Sequence, residues 1–231
     1  MTKKNIALLD GQTIQALPVA KSLKKQGFKI TSLCDSKESY GYHTKYADKK
    51  IIVPSTKTET SDFHCSLMKI IKDEKIDILI PLNDYSARYL SKNKKELLKH
   101  TDFLISDYDV FMSGYDKNEL MKTCHKNNYP HPKTVDLSVV SFEEAAEIIS
   151  FPALIKPNET TGARGLAVVY STDELQNKYR CIKKNYGNCH LQEFIPSGGK
   201  QFKVELFIYK KETINSTVIY KIRYYPVKGG S

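Results

Sequence analysis

The 231-residue sequence has no apolar run approaching the roughly 20 residues that a spanning helix needs. Its opening stretch, "MTKKNIALLDGQTIQALPVA", is interrupted by Asp10 and Gln12 and reads as a strand and a helix, not a signal peptide. A soluble cytoplasmic protein is expected. There is also no C-x-x-C pair. The five cysteines, Cys34, Cys65, Cys124, Cys181 and Cys189, are scattered and odd in number, which argues against a disulfide framework or a zinc knuckle. They read as reduced thiols, mostly buried. Cys65 follows His64 and Cys124 precedes His125, but sequence neighbours diverge on a helix or a strand, so neither pair makes a metal site by itself. The G-x-G-x-x-G fingerprint of a dinucleotide fold is missing: "LLDGQTIQAL" supplies only Gly11. An arginine-rich recognition helix, an internal repeat and a low-complexity tract are absent too. The net charge of +10 comes from 36 Lys and Arg against 26 Asp and Glu. Its lysines are spread over "KSLKKQG", "KNKKELLK", "CIKKNYG" and "IYKKET", as on solvated helix faces and turns.

What is present begins with alternation. "NIALLD", "FKITSLCD", "KKIIVPS", "IDILIPLND" and "DFLIS" are strand-like runs. Between them lie helical patterns at Thr13 to Gln26 (Ile14, Leu17, Ala20 and Leu23 inward, Gly27 as C-cap), Ser61 to Asp73 (Phe63, Leu67, Ile70 and Ile71 inward) and Ser86 to Lys99. Strands separated by helices imply a parallel sheet covered on both faces. Open α/β sheets place ligands at the C-terminal ends of strands, which makes Asn83 and Asp84 candidate substrate contacts; an N-cap for the following helix is the competing role.

The texture changes after about Ser106. A helix is expected over Lys117 to Lys126, stopped before Pro130 and Pro132. "SFEEAAEIIS" is a short helix with Ser141 and Glu144 as a capping box. The strands "PALIKP" and "LAVVY" flank a glycine loop, Thr172 to Lys184 is a helix, and "CHLQEFI", "QFKVELFIYK" and "STVIYKIRYYP" alternate as strands. The second half reads as α+β with an antiparallel sheet.

The stretch "FPALIKPNETTGARGLAVV" carries chemistry. The sheet fixes Lys156 at a strand end. Gly162 and Gly165 let backbone N–H groups approach a ligand, Arg164 adds a guanidinium, and Thr160 and Thr161 add hydroxyls. Together they suit a polyphosphate clamp. The order is not that of a Walker A loop, because the lysine precedes the glycines. A plain β-hairpin with a mobile tip is the alternative.

In order and spacing, "YDKNELMKTCHKNNYPHPKT", "FPALIKPNETTGARGLAVV", "LQEFIPSGGKQFKVELFI" and "KIRYYPVKGGS" behind an α/β N-domain resemble the ATP-grasp superfamily. The nearest resemblance is to the carboxylate–amine ligases like the carbamoyl-phosphate synthase large chain. The resemblance implies a parallel α/β pre-ATP-grasp domain at 1–108 and an ATP-grasp domain at 109–231, with 133–195 as a lid-like subdomain. It implies that Lys117 reaches the nucleotide phosphates, that Lys156 contacts the α- and β-phosphates, and that Thr160 to Gly165 closes over them. It puts the adenine edge at the backbone near Phe194 and Ile195, with Gln192 or Glu193 near the exocyclic amine. Gln201 stands where family members often carry the glutamate of G-x-E that holds the ribose; Glu205 is a substitute. Arg223 would lie near the phosphates or the acyl-phosphate as the catalytic cation.

The resemblance further implies ATP and Mg²⁺ as cofactors. After Arg223 there is no Asp, Glu or Asn, so the metal ligands are expected beyond residue 231 and the ATP-grasp domain is expected to be truncated at its C-terminus. The implied activity is ATP-dependent ligation of a small-molecule carboxylate to an amine or thiol through an acyl-phosphate, this chain being the N-terminal, nucleotide-binding part and inactive alone. No membrane or nucleic-acid partner is expected, and a homodimer is allowed. A non-catalytic nucleotide- or anion-binding module and a basic nucleic-acid-binding protein stay open as alternatives.

Overall fold

The computed structural model describes residues 3–58, 61–196 and 198–223. The chain divides into two compact units, 1–112 and 113–231.

The first unit alternates β1 (Asn5–Leu8), α1 (Ala16–Lys25), β2 (Lys29–Cys34), α2 (Tyr40–His43), β3 (Lys49–Ile52), α3 (Ser61–Asp73), β4 (Ile78–Ile80), α4 (Asp84–Lys92) and α5 (Lys94–Leu97). The four strands form a parallel sheet in the order β3-β2-β1-β4. Both faces are covered, as apolar strands require. Phe63, Leu67, Ile70 and Ile71 of α3 join Leu90 and Leu97 in one core cluster; Ala20 of α1 packs with Ile6, Leu8 and Ile30 in another.

Four expectations need correction here. Ile14 precedes α1 and is exposed; the helix buries Ala16 and Ala20. "DFLIS" makes only a bridge between Ile78 and Asp102, with Phe103 in the core and Leu104 facing solvent. The helix expected from Ser86 to Lys99 is broken at Asn93, which caps the end of α4. Of the five free cysteines only Cys34 and Cys189 are buried.

Helix α6 (Tyr108–Tyr115) carries the division between the units. The second unit continues with α7 (Lys117–Lys126), β5 (Thr134–Asp136), α8 (Phe142–Ile148), β6 (Ala153–Pro157), β7 (Ala167–Val169), α9 (Thr172–Tyr186) and β8 (Cys189–Glu193). The four strands form an antiparallel sheet in the order β5-β8-β6-β7. The capping box at Ser141 and Glu144 is formed as expected.

This sheet is two-faced, and period-2 alternation is the cause. On one face Val135, Leu191, Ile155 and Ala167 form a cross-strand row, flanked by Ala153, Val169 and Cys189. That face packs against α8 and α9 through Ala145, Leu175 and Ile182. Each fully buried Leu or Ile here contributes about 1.5–3 kcal/mol. The other face carries two polar rows. Asp136, His190 and Lys156 align across β5, β8 and β6; Thr134, Gln192, Leu154 and Val168 align beside them across all four strands.

Beyond β8, strands β9 (Phe202–Tyr209) and β10 (Glu212–Tyr220) form a separate antiparallel hairpin. Its register puts Phe202, Val204, Leu206, Val218 and Tyr220 on one face, all exposed. The strand expected to continue through "KIRYYP" ends at Tyr220, and Tyr224 to Ser231 lie outside the described residues.

Candidate functional site

The site is assembled by the polar face of the antiparallel sheet, the start of α7 and the loop between β6 and β7. Helix α7 starts at Lys117 because Asp116 caps it, accepting from the N–H groups of Asn118 (2.8 Å) and Glu119 (3.1 Å). The Lys117 N–H donates to the Asn158 carbonyl at 3.1 Å, which ties the helix start to the loop. The Lys117 amine donates to the carbonyls of Asn158 (3.3 Å) and Thr160.

Lys156 leaves the end of β6 on the polar face. Its amine donates to the Gln192 side-chain oxygen, and the Gln192 amide donates in turn to Thr134 Oγ1 at 2.9 Å. Burial holds the Lys156 pKa below its ordinary value, and the neighbouring Lys117 pushes the same way. The partner of Lys156 is a neutral amide, so its charge is not cancelled by a carboxylate there.

The loop is held open by backbone geometry. Gly162, Ala163 and Gly165 have φ of 65°, 58° and 74°. A Cβ on Gly165 would lie 2.7 Å from Pro157 Cγ and 2.8 Å from the Tyr186 ring, so this position needs glycine on two counts. Arg164 folds back, donating from Nε and Nη2 to the carbonyl and hydroxyl of Thr161 at 3.1 and 2.8 Å. A cleft of about 390 Å³ lies between these groups. Lys117, Lys156, Thr160, Thr161, Gly162 and Arg164 all line it, and among its described lining residues there is no carboxylate.

His190 lies beneath, 1% exposed. Its Nδ1 pairs with the Asn158 side-chain oxygen at 2.9 Å, which makes Nδ1 the protonated nitrogen; Nε2 is buried without a partner. Burial first, then Lys156 and Lys117, push its pKa down to about 4, against a smaller upward pull from Asp136. Burial alone would raise Asp136. Hydrogen bonds from Ser138 and Asn118 together with Lys122 outweigh it and hold that carboxyl below the usual range.

The register separates Gln192 from Glu193. Gln192 shares the polar face with Lys156, whereas Glu193 leaves from the opposite face beside Ala153, and its N–H donates to the Lys133 carbonyl at 2.9 Å. Phe194 is half-buried and Ile195 exposed just past β8. Gln201 and Glu205 are exposed at the hairpin, Arg223 is exposed beyond it, and none of the three is among the described residues lining the cleft.

In the first unit, the side-chain oxygen of Asn83 accepts from the N–H groups of Tyr85 (2.8 Å) and Ser86 (3.1 Å). It caps α4, the competing role, and Asp84 is the exposed first residue of that helix. The buried polar group at this sheet edge is Asp10, which accepts from the Ser86 and Thr56 hydroxyls.

Leu154, Val168, Thr134 and His190 were missed in the sequence. For two of them the signal was available: period 2 in "ALIKP" and "CHLQE" puts Leu154 on the Lys156 face and His190 on the Gln192 face.

No family model matches the chain. It is 28% identical over 163 residues to the carbamoyl phosphate synthase large chain of Campylobacter jejuni, covering 68% of this chain and 14% of that protein. The fold is similar to carboxyaminoimidazole ribonucleotide synthase of Aspergillus clavatus complexed with ATP, with a TM-score of 0.74 and 13% identity over 97% of this chain and 56% of the other. It is also similar to the biotin carboxylase domain dimer of the Hydrogenobacter thermophilus 2-oxoglutarate carboxylase, in complex with MgADP, ADP and bicarbonate, with a TM-score of 0.65 and 20% identity over 83% of this chain and 44% of the other. The chain thus spans about half the length of the solved chains it matches and a smaller share of the curated relative. The parallel sheet followed by an antiparallel one is the arrangement expected of an ATP-grasp fold, and the ATP-grasp resemblance stands. No helix among the described residues is long and apolar enough to cross a membrane.

Proposed function

We propose that this chain, with the fold of the ATP-grasp ligases, is the N-terminal, nucleotide-binding part of an ATP-dependent enzyme that joins a carboxylate to an amine or thiol through an acyl-phosphate. The observation that carries the reading is the convergence of Lys117, Lys156 and Arg164 on one cleft whose described lining has no carboxylate. A cleft lined by three cations beside a glycine loop at positive φ suits a polyphosphate. The similar solved structures with ATP and with MgADP support the same ligand.

In this reading Lys156 and Lys117 neutralise phosphate charge, and Gly162–Gly165 brings backbone N–H groups onto the phosphate oxygens. Leu154 and Val168 are the apolar pair on an otherwise polar face, suited to the flat side of a purine, with Gln192 adjacent in the same row. Phe194 and Ile195, where the chain leaves β8, offer backbone groups to the base edge. Gln201 is proposed at the ribose and Arg223 at the transferred phosphoryl group. The loop excludes water from the acyl-phosphate when it closes. Among the described residues there is no group of three or more His, Cys, Asp or Glu that could hold a metal.

Thermal unfolding with and without Mg-ATP tests the reading. Ligand at a hundred times its dissociation constant adds about 2.7 kcal/mol and raises Tm. A rise in wild type that Lys156→Ala abolishes supports it. The same rise in both proteins contradicts it.

A further inference from the structure

Lys156 is held by a chain of hydrogen bonds that reaches across β6, β8 and β5 and contains no second charge. Its amine donates to the Gln192 side-chain oxygen, the Gln192 amide donates to Thr134 Oγ1 at 2.9 Å, and the Thr134 hydroxyl donates to the Pro132 carbonyl at 2.9 Å. The register explains the reach. Thr134 and Gln192 are directly opposite, whereas Gln192 is opposite Leu154 and meets Lys156 on the diagonal, within range of long side chains. An ammonium only donates and a backbone carbonyl only accepts, so the two ends fix the direction of every bond between them. Turning the Gln192 amide over would set N–H groups against the ammonium. Gln192 is 6% exposed, and both of its polar side-chain atoms have partners within this chain. Neither Gln192 nor Thr134 is among the described residues lining the cleft, whereas Lys156 is. A carboxylate in place of the Gln192 amide would have nearly the same shape and would neutralise the amine; the amide supplies the acceptor without the charge.

We infer that Gln192 and Thr134 are positioning residues for Lys156: the chain from Pro132 through Thr134 and Gln192 holds the amine at the cleft and leaves its charge available to an anionic ligand there. The inference rests on the polyphosphate reading of the cleft and adds to it two residues outside the cleft's described lining. An ammonium carries three hydrogens, and Gln192 takes one, so this bond persists when the amine meets phosphate oxygens. Holding a long, flexible side chain in place before the ligand arrives lowers the cost of ordering it on binding. Thr134 therefore acts on the ligand only through Gln192 and Lys156, and its contribution disappears when the amine is removed.

Calorimetric titration of the full chain with Mg-ATP tests this as a double-mutant cycle. Thr134→Val keeps the shape of the side chain and takes the acceptor away from the Gln192 amide, so affinity should fall about three- to tenfold. Thr134→Ser returns the hydroxyl and should restore the affinity. In a Lys156→Met background the Thr134→Val change should cost nothing further. Gln192→Glu leaves the amine in place but cancels its charge, and its loss should approach that of Lys156→Met. Wild-type affinity in Thr134→Val or in Gln192→Glu overturns this inference alone. So does an equal loss from Thr134→Val with and without Lys156, or a loss that Thr134→Ser leaves unrestored, since either marks Thr134 as a packing residue of the sheet. Absence of Mg-ATP binding by wild type overturns the polyphosphate reading and this inference with it. Should Thr134→Val fail to fold, Gln192→Glu decides by the same comparison with Lys156→Met.

Discussion

Lys156 and His190 face each other across adjacent antiparallel strands, cation beside buried imidazole, with Lys117 as a second cation on the same histidine. Asp136 flanks the same ring on its other side, so His190 sits between a carboxylate and an amine in one row. Burial first, then the two lysines, outweigh the aspartate and keep the ring neutral, which makes the free protein sensitive to acid.

The acid sensitivity has a definite sign. The His190 pKa is depressed from an ordinary 6.5 to about 4 in the folded chain. Between those values the unfolded chain binds the extra proton, so folding stability is full above about pH 6.5 and declines as pH falls toward 4. The whole effect is about 3 kcal/mol. Urea unfolding of the second unit at stepped pH should show this loss, and His190→Gln should flatten it. An unchanged slope in the variant would assign the acid sensitivity elsewhere.

Gly165→Ala and Gly162→Ala separate steric from conformational cost. Both positions have positive φ, but a Cβ at Gly162 meets nothing within 4 Å, whereas at Gly165 it overlaps Pro157 and the Tyr186 ring. We expect Gly162→Ala to cost about 1 kcal/mol and Gly165→Ala about 2–4 kcal/mol. Denaturant midpoints of the two variants measure the difference, and equal costs would refute the overlap.

Lys156→Met should divide binding from stability. The amine is half-buried and pairs with a neutral amide, so its replacement by an apolar chain of similar length changes folding stability by about 1 kcal/mol or less. A charge-assisted hydrogen bond to phosphate is worth about 1.5–3 kcal/mol, so ATP affinity should fall about 10- to 100-fold. The same variant removes the nearer cation from His190 and should lift the histidine pKa above its value of about 4. Fluorescence titration with a nucleotide analogue and a histidine NMR titration check the two halves.

The apolar face of the β9–β10 hairpin makes a different prediction. Val204 and Val218 are opposite one another and exposed at 60% and 64%. A contiguous apolar face of this kind binds hydrophobic dyes or self-associates. Replacing both valines by lysine should lower dye fluorescence and leave the unfolding of the parallel-sheet unit unchanged.

Much of the fold was legible because the apolar patterns are long. Ser61 to Asp73 and Lys117 to Lys126 begin and end as the residues indicate, since four inward apolar positions mark the first and Asp116 caps the second. The grouping of the loop with the two lysines was legible as well: Lys156, Thr160 to Arg164 and Lys117 line one cleft. What escaped was short or decided by tertiary pairing. Strand β5 is three residues long behind Pro132, too brief for a period to show. Gln192 and Glu193 are equivalent in composition, and only the register against β6 assigns them to opposite faces. Nothing in "CHLQE" tells that His190 will lie between an aspartate and a lysine, because both come from distant strands. Asn83 looked like a ligand contact by its place at a strand end, yet the free N–H groups of α4 claim its oxygen.

Amide hydrogen exchange of the chain with and without ATP tests the central claim most directly. The account predicts slowed exchange over 158–166 and past the end of β8 at 194–195, with the parallel-sheet unit unchanged. Equal exchange over 158–166 at saturating ATP, or protection confined to the first unit, would contradict it.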